Sequence, residues 1–289
     1  MITPMKHYVF VGGTSGIGRT AAIALAREGA AILVVGRSAE RGLATEQQLR
    51  AAGAPEARWL QADLTSRVGM DDALRGIHAW RDRLDGLVHS AMCLPSFRHK
   101  AATVDGLEHA FALQYLARVA LNRGLLAQLT AGQGRIVHVG AKPPRRSRLV
   151  LDDLQFNRRR WSLMAALMSS QLLGFLHAQE AASRWSVPVS IACVGPTNTE
   201  TITAQPLWLR ALYSLIATTP ERSARNVVRF LLEPKSYPGH ATYSAARFEP
   251  QHARYDPQLA RAAWDHTEAL LSHPSHVTAS GASTPATGA

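Results

Sequence analysis

The sequence predicts an α/β protein built on a single doubly wound parallel sheet with helices on both faces. Short, unbroken apolar runs alternate strictly with longer amphipathic stretches, the pattern of strands buried on both faces and joined by crossover helices. A glycine-rich turn, with Gly12, Gly16 and Gly18, falls between the first apolar run and the first amphipathic one. The chain has 289 residues, 46% of them hydrophobic, which suffices for a large core in one domain.

The elements follow in order. Residues 8–11 read as the first strand and 19–28 as the first helix. A second strand at 31–35 leads to a helix ending near residue 52. Strands at 57–61 and 86–90 flank a helix at 70–83. A long helix is expected over 104–130, a fifth strand at 134–139, a long helix at 162–184 and a sixth strand at 188–194. Residues 206–218 are apolar, with Trp208, Leu212 and Leu215 at helical spacing, and read either as core or as a lid over a cleft. The domain is expected to span residues 1–272. Residues 273–289 are Ser, Thr, Ala, Gly and Pro apart from His273, His276 and Val277, with no apolar pattern, the composition of a disordered tail.

Composition excludes several classes. Two cysteines, Cys93 and Cys193, are too few for a disulfide framework or a zinc cluster and read as buried thiols, so no metal is expected. The net charge of +11 comes mostly from arginines spread along the chain with no nucleic-acid motif, which points away from nucleic acid. Such a field suits an acidic small molecule or an acidic partner protein. No charged-then-apolar leader precedes the first strand, and no stretch reaches the ~18 apolar residues of a membrane span. The expectation is a cytoplasmic protein without a membrane partner.

The turn of residues 11–18 carries the clearest chemistry. Glycines between a strand and a helix allow a tight turn and a close approach of backbone N–H groups to a pyrophosphate, which the helix N-terminus also attracts. The turn reads as a dinucleotide-binding loop, with Gly12, Thr14, Ser15, Gly16, Ile17 and Gly18 as its contact residues.

Its G-x-x-x-G-x-G spacing resembles the short-chain dehydrogenase/reductase family, whose fold is Rossmann-like, although Val11 replaces the Thr usual before the first glycine. The resemblance runs to about Leu271. It includes Asp63 and Leu64, where the family contacts adenine, and residues 134–137 on the fifth strand. Residues 152–154, 180–184 and 263–268 resemble the retinol-dehydrogenase-like branch. The resemblance implies a nicotinamide cofactor, with Ala91 added to its contacts. NAD-preferring members place an acidic residue at the end of the second strand. Here Arg37 and Ser38 stand there, suited to a 2′-phosphate, so NADP is expected.

The family's catalytic set is matched by different chemistry. Leu167 stands at the position of the general-acid Tyr, Gln171 at the Lys, Ala141 at the Ser and Gln114 at the Asn. No Tyr lies between Tyr115 and Tyr213, so no small register shift restores the pair. The family's Asn-Asn-Ala-Gly reads His89-Ser90-Ala91-Met92, and its Pro-Gly is reversed as Gly195-Pro196. One positioned acid or base contributes roughly 10²- to 10⁴-fold to rate, so ordinary carbonyl reduction is expected near background. Gln114, Lys142 and Gln171 are the candidates left to line the cleft. Tyr115 and His138 read as packing residues. Arg145, Arg146, Arg148, Arg158, Arg159 and Arg160 crowd the segment bordering the cleft, either as a docking surface for an anionic or carrier-linked substrate or as a solvated loop.

The expectation is an NADP-binding member that has lost the redox set and been repurposed as a biosynthetic tailoring enzyme for dehydration, addition, cyclisation or isomerisation. One alternative is a non-catalytic binding or regulatory subunit, and another is an atypical NADPH-dependent carbonyl reductase using water or Lys142. The family associates through its two long central helices. The apolar residues 163–175 fit a homo-oligomer formed that way.

Overall fold

The computed structural model describes residues 5–92, 98–144, 147–197 and 217–272. The expected lid is outside these residues but for its last two, 217 and 218. The tail at 273–289 and Cys93, Arg145 and Arg146 lie outside them altogether.

The first half runs β1 (His7–Val11), α1 (Gly16–Arg27), β2 (Ala31–Gly36), α2 (Ala39–Ala51), β3 (Ala57–Gln61), α3 (Arg67–Trp80) and β4 (Gly86–His89). Helix α4 enters at His109–Phe111, passes through a π turn at Ala112–Leu116 and continues as Ala117–Gly124. A shorter helix, α5 (Leu126–Gly132), leads to β5 (Arg135–Gly140). Then come α6 (Leu163–Arg184), β6 (Val189–Cys193), α7 (Pro220–Leu232), β7 (His240–Thr242), β8 (Gln251–His252) and α8 (Pro257–Ser272).

The sheet order is β3-β2-β1-β4-β5-β6-β7-β8, parallel except for the antiparallel β7–β8 pair. Alternate residues of each strand feed opposite cores. Val9, Val11 and Leu33 pack with Met70, Ile77 and Leu121 on one face, while Tyr8, Phe10 and Ile32 pack with Leu25, Val227 and Phe230 on the other. The order reverses between β1 and β4, and the crevice beyond their carboxyl ends is where such sheets bind ligands.

The six predicted strands and α6 stand where expected. The helix expected over 104–130 begins at His109 instead, because Gly106 takes a left-handed turn (φ +74°) and Glu108 caps the helix by accepting from Phe111 N at 2.8 Å. It also breaks at Leu125. Helix α3 runs from Arg67, where Ser66 caps it, to Trp80 rather than from 70 to 83, since Arg81 is extended. Helices α7 and α8 and strands β7 and β8 are additions to the predicted elements.

Helix α8 bears on the expected association surface. Ala260 and Ala263 join Phe111, Tyr115, Leu172, Leu173 and Leu176 in one buried cluster, and the Tyr115 hydroxyl lies 2.6 Å from Thr267 Oγ1. Trp264 stacks on His177 at 4.9 Å. The apolar face shared by α4 and α6 is therefore covered by the chain's own C-terminal helix, and a second copy would have to displace it to dock there. Cys193 is a buried free thiol, raised to about 12 by desolvation. Among the described residues no helix is long and apolar enough to cross a membrane, and none forms a metal-binding group of His, Cys, Asp or Glu.

Candidate active site

The turn between β1 and α1 leaves no room for side chains. Gly12 has φ +82°, and a Cβ there would lie 2.3 Å from Ala91 N. Its N–H donates to Val35 O at 2.9 Å, while Ser90 and Ala91 donate to Val11 O at 2.8 and 3.0 Å. A Cβ on Gly18 would meet Gly12 O at 2.7 Å, so α1 can start this close to the turn only with glycine there. Gly16 also has positive φ, at +51°. Thr14 packs across Gly36, where a Cβ would come within 2.9 Å of Thr14 Cγ2.

A cleft of about 860 Å³ runs from this loop across the carboxyl ends of β1, β4 and β5. At one end Gly12, Thr14, Ser15, Gly16, Ile17, Arg37, Ser38 and Leu64 line it, joined by Glu40 and Arg41. Ser38 also caps α2, its hydroxyl accepting from Arg41 N at 3.3 Å. Gly18 and Asp63 do not line the cleft. Gly18 is used in packing, and the Asp63 carboxylate accepts from Thr65 N at 3.1 Å and from Thr65 Oγ1 at 2.8 Å. The cradle of positive-φ and Cβ-intolerant glycines, open on a helix N-terminus with cations beside it, fits a dinucleotide.

At the other end Ser90, Ala91, Met92, Leu113, Gln114, Arg118, Val139, Gly140, Ala141, Met164, Leu167, Met168 and Gln171 form the walls and floor. Gln171 Oε1 accepts from Ala141 N at 3.0 Å, and Gln171 Nε2 donates to Gln114 Oε1 at 3.2 Å. This bridge ties α6 to β5 and α4. It also explains Gly140, whose Cβ would come within 2.7 Å of Gln171 Oε1.

Lys142 is not part of this floor. It is exposed, and its ammonium sits over the Tyr243 ring at 4.4 Å from the centroid, which turns it out of the cleft. Arg158 and Arg159 are paired with Asp152 and Asp153 at 2.5 and 3.2 Å, so part of the arginine-rich segment is neutralised within its own loop.

Behind the floor lies a polar cluster. Asn122 Oδ1 accepts from His89 Nε2 at 2.8 Å, and Asn122 Nδ2 donates to His138 Nε2 at 3.1 Å and faces His177 Nε2 at 3.4 Å. Desolvation, helped by the nearby Arg118 charge, holds His89 down to about 3. His177 is held at about 3 by desolvation alone, and His138 is likewise pushed well below its ordinary value. His138 is thus a buried packing residue with one satisfied nitrogen, as expected, and its Nδ1 has no partner. Sequence reasoning missed Arg118, which lines the cleft while only 6% exposed. Its signal was available as polar residues 114, 118 and 122 at four-residue spacing in an apolar helix.

Comparison with known proteins agrees with this architecture. The short chain dehydrogenase family model matches residues 6–144. The chain is 34% identical over 184 residues, 63% of its length, to a Streptomyces sp. (strain C5) protein named "Putative daunorubicin C-13 ketoreductase DnrU", of whose length it covers 62%. It is 29% identical over 279 residues to the polyprenol dehydrogenase of Mus musculus, covering 90% of this chain and 82% of that protein. A 3-oxoacyl (acyl-carrier-protein) reductase from Agrobacterium tumefaciens C58, solved with NADP bound, superposes with a TM-score of 0.63 at 20% identity, covering 78% of this chain and 86% of that one. The glycine loop, the sheet order and the cleft thus agree with the short chain dehydrogenase model over residues 6–144, and the parallel sheet continues beyond them.

Proposed function

We propose that the protein binds NADP(H) and uses its cleft to orient a small molecule for a reaction that conserves oxidation level: isomerisation, dehydration, addition or cyclisation. One observation carries this reading. Among the described residues at the floor and walls of the nicotinamide end there is no Tyr, Lys, His, Asp, Glu or Cys. Leu167 and Ala141 have no proton to give, and Gln171 is spent on bridging Ala141 and Gln114. Carbonyl reduction needs a proton delivered to the developing alkoxide, and none of these groups delivers one. Orientation in a shaped cleft is itself worth ~7 kcal/mol or more of barrier, and the protons that such a non-redox reaction moves would exchange with water in the cleft.

Arg37 and Ser38 would hold a 2′-phosphate, and the glycine cradle would take the pyrophosphate. When bound, the cofactor supplies a hydride donor and one wall of the substrate cleft. The chain's own residues then fix the substrate between the Gln114–Gln171 bridge and the apolar side chains of Met92, Leu167 and Met168.

The second reading is an NADPH-dependent carbonyl reductase drawing its proton from water. It is supported by the ketoreductase and dehydrogenase names of the relatives. The deciding measurement mixes protein, NADPH and a panel of aromatic ketones and quinones, following nicotinamide absorbance and product mass together. The expected result is cofactor binding without oxidation. Stoichiometric oxidation with alcohol formation would install the reductase reading instead.

A further inference from the structure

Gln114, Arg118 and Asn122 are 2%, 6% and 0% exposed and share one face of α4 at four-residue spacing. Gln114 lies within the π turn at Ala112–Leu116, and such turns recur at functional sites. The deepest of the three, Asn122, is satisfied by His89 and His138. The two that line the cleft are not. Gln114 Oε1 accepts from Gln171, but Gln114 Nε2 is buried without an acceptor. Arg118 Nε is buried without one as well. Desolvation alone moves Arg118, pulling it down to about 10, and no carboxylate offsets it.

A guanidinium stays charged, and a buried charge without a counter-ion is strongly disfavoured. The neighbouring His89 and His138 are held neutral by burial and supply no negative charge. Both free groups are donors only. The floor of the cleft therefore presents a fixed cation and an amide N–H, side by side on one helix face, and lacks their acceptor. Around them Leu113, Leu167 and Met168 are apolar.

We propose that Arg118 and Gln114 form a carboxylate-binding subsite at the floor of the cleft, so that the substrate is a small molecule with an apolar body and a carboxylate. The planar guanidinium fork matches a carboxylate with two parallel N–H···O bonds, and the Gln114 amide reaches a remaining lone pair. This deepens the reading of the cleft as a small-molecule site and rests on it. It also moves the expected recognition of an anion from the loop arginines, two of which are paired, to a residue inside the cleft.

The test uses the full chain with NADP⁺ saturating, so that the phosphate loop is filled and cannot take the probe. Binding of 2-naphthoate is compared with that of its uncharged isostere 2-naphthamide by calorimetry. The carboxylate is expected to bind roughly tenfold or more tightly than the amide. Arg118→Met should bind the two alike while its NADP⁺ affinity stays unchanged, and Arg118→Lys should keep part of the preference. Equal binding of the two probes to the wild type, no binding of either at millimolar concentration, or a preference that survives Arg118→Met would overturn the subsite. Should Arg118→Met fail to fold, the wild-type comparison still decides. Gln114→Leu then adds a second measure, expected to weaken naphthoate more than naphthamide. If NADP⁺ itself does not bind, the reading of the cleft fails, an outcome distinct from loss of the carboxylate preference.

Discussion

The two ends of the cleft are built on opposite principles. At the phosphate end the backbone makes the site, and side chains are excluded: a Cβ on Gly12, Gly18 or Gly36 would lie 2.3, 2.7 or 2.9 Å from its nearest neighbour. At the nicotinamide end side chains make the site. A Gln171–Gln114 bridge closes its floor, Arg118 points a charge into it, and a histidine cluster backs it. A backbone-built site tolerates almost no change, because altering it alters the fold. A side-chain-built site can exchange its chemistry residue by residue while the sheet beneath stays the same. The contrast is how a backbone-built loop can stand beside a floor whose described lining residues include no Tyr, Lys, His, Asp, Glu or Cys.

The largest expected effect separates the ends by pH. At the nicotinamide end His89, His138 and His177 are all buried and held neutral behind the floor. Their folded-state pKa values lie below the unfolded value of about 6.5, so the unfolded chain binds more protons. Their contribution to stability is fully present above pH 6.5 and is lost as pH falls from there toward 3. Each histidine adds a slope of up to ~1.4 kcal/mol per pH unit, about 4 kcal/mol per unit if all three act together. Denaturant unfolding at pH 7.5, 6 and 5 checks this. A flat stability profile over that range would mean the cluster is hydrated in solution.

The next prediction tests the rigidity of the phosphate end. Gly12→Ala puts a methyl against Ala91 N at a positive φ, which should cost ~2–4 kcal/mol of stability and weaken NADP(H) binding at least tenfold. Leu167→Ala at the opposite end should leave cofactor affinity within about twofold, because Leu167 is a partly buried member of the small cluster around Ala110, Phe156 and Ala166, away from the phosphate loop. Equal losses of cofactor affinity in the two variants would erase the contrast.

The same division governs what could be read from sequence. Glycine positions are legible because only glycine fits them, and β1 to β6 are legible because a parallel sheet buried on both faces writes unbroken apolar runs. The region after residue 218 was not. Strand β7 has three residues and β8 two, and both are too short to show a period. Missing β7 also misplaced Lys142, whose resting place, Tyr243, follows that strand. The histidine cluster joins β4, β5 and α6 around Asn122, an arrangement no local spacing encodes. Arg118 was readable in principle, but a lone arginine in an arginine-rich chain stands out only once its burial is known.

A smaller effect probes the floor directly. Gln171→Leu removes the acceptor of Ala141 N and the donor to Gln114 Oε1. Leaving buried partners unsatisfied should cost ~1–3 kcal/mol in denaturant unfolding. Gln171→Lys should cost at least as much, since an ammonium cannot accept from Ala141 N. The side chain that would restore a family-like floor is thus opposed by the hydrogen bonds already there. A Leu167→Tyr, Gln171→Lys, Ala141→Ser variant is expected to gain carbonyl reduction only if it tolerates that loss. A Gln171→Lys variant as stable as the wild type would show that the bridge is incidental.

The smallest effect concerns cofactor choice, where the phosphate end does use a side chain. Arg37 and Ser38 line the cleft at the end of β2 with Arg41 nearby, and the only acidic group among the described lining residues is Glu40 at the start of α2. The Ser38 hydroxyl accepts from Arg41 N and keeps its own O–H to donate, and the Arg37 guanidinium supplies the charge that discriminates a 2′-phosphate from a hydroxyl. Arg37 is exposed, so the interaction is screened by solvent and should amount to ~1–2 kcal/mol, a roughly tenfold preference for NADPH over NADH that weakens with added salt. Arg37→Ala should bring the two affinities together by lowering that for NADPH and leaving that for NADH almost unchanged, because the pyrophosphate is held by backbone. Fluorescence titration of both cofactors against both proteins reads this out. Equal wild-type affinities would remove the NADP assignment while leaving the glycine cradle intact, whereas an equal loss for both cofactors would mean that Arg37 supports the loop itself and that the phosphate end depends on side chains after all.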